Sequence, residues 1–76
     1  MRAYVFVSVT KDKSTDVAQR LPAIERVRYA DVCWGQPEII VLIEGATQEA
    51  LQQLVFDKIR KTSGVDHTET HIALGS

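Results

Sequence analysis

The sequence predicts an α+β domain, a four-stranded antiparallel sheet with two helices on one face, and three observations carry that expectation. Ala3, Val5, Val7 and Val9 alternate with Tyr4, Phe6, Ser8 and Thr10, the period of two that marks a strand. Ile39 to Ile43 is β-branched at four of five positions, which suits a pleated backbone, and the run is too short for a stable isolated helix. Two amphipathic stretches, one around Val17 and Leu21 and one around Leu51 and Val55, lie between strand-like runs and read as helices.

Taken in order, the first strand runs from Ala3 to Thr10, and Lys11-Asp12-Lys13 is a polar turn. Ser14 or Thr15 is expected to cap the first helix, with Asp16 favourably placed in its first turn. Val17, Leu21 and Ile24 form its apolar stripe, Gln19 and Arg20 turn outward, and Pro22 predicts a kink or a stop near Arg20. Val27 to Trp34 reads as the second strand, running into the turn Gly35-Gln36-Pro37-Glu38, where Gly35 suits a positive φ. Ile39 to Ile43 is the third strand and reads as central, because Ile39, Val41 and Ile43 point one way while Ile40 and Leu42 point the other. Thr47 is the expected N-cap of the second helix, whose inner face is Leu51, Leu54, Val55, Ile59 and Thr62, with Gly64 as its left-handed cap. Val65 to Leu74 alternates as a fourth strand. Gly75-Ser76 falls outside that pattern and is of the kind that cloning leaves behind.

Strand, helix, strand, strand, helix, strand is the βαββαβ, or ferredoxin-like, order with both helices on one face of the sheet. One helix layer covers one face. The second face, apolar in strands one and three, forms a patch that monomers rarely tolerate, so a second sheet is expected to pack on it.

Composition points the same way. The 76 residues are read as a single domain, 1–76, and a chain of this size buries only about 60 to 65% of its unfolded surface. Small domains gain extra stability from disulfides, a metal or self-association; the one cysteine, Cys33, excludes an internal disulfide, and self-association is the expected device. Nine Lys and Arg against ten Asp and Glu give a net charge of −1 with no basic block, so direct DNA binding is not expected. No apolar run reaches the roughly 18 residues of a membrane span, and no signal peptide is read at the start. The expected location is cytoplasmic.

Several features together point to a family. They are Val7-Ser8-Val9 before the first helix, Val17-Ala18 and Leu21 within it, Gly35 three residues before the acidic Glu38, Leu51, Val55 and Ile59 in the second helix, and Gly64-Val65 followed by Thr68-Glu69-Thr70. Their order and spacing, over nearly the whole chain, resemble the C-terminal effector-binding (RAM) domain of the Lrp/AsnC transcriptional regulators. Full-length members carry an N-terminal helix-turn-helix, whereas this chain opens on the first strand, so it resembles a stand-alone form of the sensing domain.

The resemblance implies a dimeric α/β-barrel of face-to-face sheets, a ring of dimers such as an octamer or decamer, and a small effector, usually an amino acid, between dimers. It implies no cofactor, and a full-length Lrp/AsnC regulator as a further partner. The family's Gly-x-x-Asp turn matches Gly35, Gln36, Pro37 and Glu38, and its Thr-x-Thr matches Thr68 and Thr70. Glu38 stands where aspartate is usual, and Pro37 has no amide hydrogen to offer. Glu25-Arg26-Val27 replaces the common Pro-x-Val before strand two. The ACT domain shares the topology and binds amino acids, but the placement of Gly35 and Thr68-Glu69-Thr70 fits the Lrp-type pattern better.

Chemistry is weighed against plainer explanations. Cys33 has no neighbour that would activate it and reads as a small hydrophobe. His67 and His71 stand about 13 Å apart on a strand, too far to share an ion within one chain. Trp34 suits either a stacked ligand or a partly buried interface. Asp31 and Glu38 straddle the turn and read as exposed carboxylates without shifted acidity. A cofactor-free enzyme of the dimeric α/β-barrel type is the alternative function. It needs a polar catalytic group between sheet and helices, where apolar faces are predicted.

Overall fold

The computed structural model describes residues 1–75; Ser76, the end of the Gly75-Ser76 tail, lies outside the described residues. The elements are β1 (Arg2–Val9), α1 (Ser14–Arg20) with a 3₁₀ turn (Leu21–Ala23), β2 (Val27–Val32), β3 (Ile39–Glu44), α2 (Gln48–Leu54) continued by a π-helical turn (Val55–Ile59), and β4 (Val65–Ile72). All pairings are antiparallel, in the order β2-β3-β1-β4, so β3 is central as its two apolar faces require.

Alternation along β1 and β3 decides the core. The register sets Ala3, Val5 and Val7 opposite Ile43, Val41 and Ile39, and all six are fully buried. Val17, Leu21, Leu51 and Ile59 from the helices close over them, and full burial of one such side chain stabilises the fold by about 1.5 to 3 kcal/mol. The helical turns near Pro22 and Val55 serve this packing. Pro22 cannot donate an amide hydrogen, so the α-helix stops at Arg20 and a 3₁₀ turn carries Leu21 into the core. In α2, four residues overshoot one α-helical turn by about 40°, and Leu51, Val55 and Ile59 would drift off one line. The wider turn, closed by the Arg60 amide donating to the Val55 carbonyl at 2.9 Å, takes up part of that drift, and all three stay buried.

Two helix-end expectations are corrected. Ser14 is already helical and Lys13 is the N-cap, without a side-chain hydrogen bond. The left-handed Asp12 (φ 66°) turns the chain one residue earlier than the Ser14 and Thr15 hydroxyls could serve; Asp16 does lie in the first turn, as expected, and also pairs with Arg20 at 2.6 Å. Gly64 does adopt positive φ (97°), but the helix has ended at Ile59, so Gly64 shapes the approach to β4 rather than capping α2. A Cβ there would lie 2.8 Å from Val17 Cγ2. Thr47 caps α2 as expected, accepting from the Ala50 amide at 3.0 Å.

Candidate effector site

The β2–β3 turn is built by its own polar groups. The Cys33 amide donates to the Glu38 carbonyl at 2.6 Å, Gly35 takes φ 111°, and the Gln36–Pro37 peptide is cis. Space around Gly35 is open, so glycine is demanded there by the backbone angle and not by crowding. One Glu38 oxygen, Oε1, accepts from the Val9 amide at 3.1 Å, and Oε2 accepts from Gln36 Nε2 at 2.8 Å. These bonds lower the Glu38 pKa below its ordinary value, the Gln36 side chain contributing most. The expectation of a free, unshifted carboxylate is therefore corrected for Glu38, which is half-buried and ties the turn to the end of β1. Being held in its charged form also suits it poorly to general-acid work. Asp31 is exposed.

Trp34 is fully exposed at 105%, not partly buried within this chain. Cys33 is half-buried, its thiol 3.7 Å from the Asp31 carbonyl oxygen.

Thr68 and Thr70 lie on β4 opposite Val7 and Val5, which places them half-buried on the helix side of the sheet. Ile39, next to Glu38, also pairs with Val7. The turn and Thr68 are thus at the same end of the sheet but two strand spacings apart, about 10 Å. The structure does not bring the two predicted halves of the site together within one chain.

A cavity of about 280 Å³ adjoins the outer edge of β4 and is lined by Arg60, Val65, Asp66, His67 and Thr68. Only Thr68 of these was legible as a site residue. The register of β4 slips between Ser8 and Val9, a bulge at Asp66 that the plain alternation of Thr68, Thr70 and Ile72 conceals. A larger cavity of about 720 Å³ lies between the Ala23–Arg26 segment and α2 and contains none of the predicted site residues. His71 lies on the open face, its ring 4.6 Å from that of Phe6 and Nε2 3.5 Å from Glu69. Among the described residues no group of three or more His, Cys, Asp or Glu is placed to hold a metal ion, and no helix is long and apolar enough to cross a membrane.

The family model of the Lrp/AsnC ligand-binding domain matches residues 2–76. The chain belongs to this family. As an Lrp/AsnC domain it is similar to the hypothetical protein PHS023 from Pyrococcus horikoshii, with 31% identity and a TM-score of 0.88 over 99% of this chain and 90% of that one. It is also similar to FFRP-DM1, with 32% identity and a TM-score of 0.88 over 96% and 97% of the two chains. The Escherichia coli AsnC structure shares the fold at 20% identity and a TM-score of 0.89, the match covering 99% of this chain and 51% of AsnC. Among functionally curated proteins no sequence matches significantly. The Lrp/AsnC assignment makes this a ligand-binding domain of regulatory type and confirms the ferredoxin-like arrangement expected from element order.

Proposed function

We propose that this Lrp/AsnC domain binds an amino acid between dimers, held by the Gly35 to Glu38 turn of one copy and Thr68 and Thr70 of another, and thereby modulates assembly or a partner regulator. The separation of the two halves carries this reading. Groups about 10 Å apart on one sheet cannot both contact the charged end of one small ligand, whereas neighbouring copies can bring them together. The open sheet face, with Tyr4, Phe6, Ile40 and Leu42 half-buried, favours pairing with a second sheet, and a ring of such dimers creates the interfaces the ligand needs. A transcriptional regulator of this fold, NMB0573 from Neisseria meningitidis, has been solved as a complex with L-Met (19% identity, TM-score 0.78), which supports an amino acid as the ligand class. The fully buried residues between sheet and helices are hydrophobic, and the half-buried hydroxyls on that side, Thr68 and Thr70, are assigned in this reading to the ligand and not to catalysis.

Thermal-shift measurement against the twenty L-amino acids at millimolar concentration tests the reading. A ligand at 100 times its Kd adds about 2.7 kcal/mol to native stability, and each kcal/mol raises Tm by about 4 to 8 °C in a domain of this size. At least one amino acid should give such a shift; none doing so overturns the proposal.

A further inference from the structure

We propose that Arg60 and Asp66 read the two charged ends of a free α-amino acid in the cavity at the edge of β4, Arg60 taking the α-carboxylate and Asp66 the α-ammonium. The inference deepens the proposed function and rests on its use of Thr68, which lines the same cavity.

The turn has limited capacity left for the recognition. A zwitterion needs a carboxylate for its ammonium, and each oxygen of Glu38 already accepts one hydrogen bond within the chain, which leaves about half of its acceptor sites free. Asp66 and Arg60, by contrast, form no ion pair with each other or with another charged side chain among the described residues. They line one cavity of about 280 Å³ with Thr68, His67 and the half-buried Val65, room for roughly nine waters and so for a small amino acid. Of this lining the cation, the anion, the hydroxyl and the aliphatic wall match the carboxylate, ammonium and side chain of such a ligand, with the His67 imidazole a further polar group at the rim.

Two backbone irregularities converge on this place. The π-helical turn ends at Ile59, directly before Arg60, and the bulge in β4 falls at Asp66. Both devices re-aim side chains and recur beside functional sites. The Arg60 guanidinium lies over the Phe56 ring, 5.3 Å from its centre. This cation–π contact restrains the guanidinium, and its N–H groups form no ion pair among the described residues, so its planar fork is open to a carboxylate.

The test uses the full chain and compares each of the twenty L-amino acids with the carboxylic acid and the amine that keep its side chain, by thermal shift and calorimetry. Amino acids should bind, both truncated series should bind far more weakly, and Arg60→Gln and Asp66→Asn should each weaken binding roughly tenfold to a hundredfold. Arg60→Lys, which keeps charge without the planar fork, should restore part of the loss. Tm without ligand serves as the folding control, and the truncated series on the native chain keeps the inference open to refutation even where a variant is unstable. Amino-acid binding that both variants retain, or carboxylic acids and amines binding as well as amino acids, overturns this inference and leaves the proposed function standing. Absence of any amino-acid binding overturns both.

Discussion

On the helix side of the sheet Ala3, Val5, Val7, Ile39, Val41 and Ile43 are each fully buried, whereas on the opposite side Tyr4, Phe6, Ile40 and Leu42, from the same two strands, are half-buried and Tyr29 beside them is 39% exposed. Backbone and hydrophobicity are alike on the two sides; the difference is the cover. Helix α1, its 3₁₀ turn and α2 close one face within the chain, and none of the described residues closes the other. The contrast separates what one chain stabilises alone from what requires a neighbour, and substitutions on the two faces should therefore differ in kind as well as size.

The largest effect is expected under the helices. Leu51→Ala should cost about 2 to 5 kcal/mol in chemical denaturation, because a fully buried side chain leaves a cavity the core cannot fill, and the loss should not depend on protein concentration. Gly64→Ala should come next, at about 1 to 3 kcal/mol, since it meets both a positive φ and Val17 at 2.8 Å. A calorimetric Tm checks it, and Gly35→Ala, strained at φ but open in space, should cost less. On the open face Leu42→Ala should cost little at high dilution and progressively more as concentration rises, if a second sheet covers that side. A constant penalty at all concentrations would break the comparison.

Much of this was legible because it is local. A period-two run located β1, a β-branched run located β3, Thr47 marked its own helix start and Pro22 the end of α1. What escaped depends on distant partners. The Glu38 pKa is lowered first by Gln36, inside the turn, and further by the Val9 amide, a partner 29 residues away that could not be read from the turn alone. The π-helical turn answers the core's need to keep Leu51, Val55 and Ile59 on one line. The bulge at Asp66 is a slip between strands, invisible in the alternation of β4 alone. The proposed site residues Gly35 and Thr68 were legible by type, but their separation across the sheet was not, and Trp34, read as a stacked or interface residue, is fully exposed within this chain.

Smaller effects sharpen the account of the site. Thr70→Val keeps the β-branched shape and removes the hydroxyl, so amino-acid binding by calorimetry should weaken roughly tenfold while assembly is unchanged; equal affinity would place the ligand elsewhere. The pH effect of Glu38 should be the smallest. Its folded pKa lies below its ordinary value, so its contribution is fully present above the unfolded value and is lost as pH falls through the folded one. Glu38→Gln should flatten that acid limb in denaturation curves taken across pH, and an unchanged limb would show that the bonds to Val9 and Gln36 contribute nothing.

The central claim, that a second copy covers the open sheet face, is tested most directly by light scattering of the native chain at micromolar concentration beside Phe6→Lys. The native chain should have the mass of a dimer or a multiple of dimers, and Phe6→Lys, which sets a charge on the half-buried face opposite Ile40, should fall to a folded particle near 8.5 kDa. A native chain that is itself a stable 8.5 kDa monomer would contradict the account.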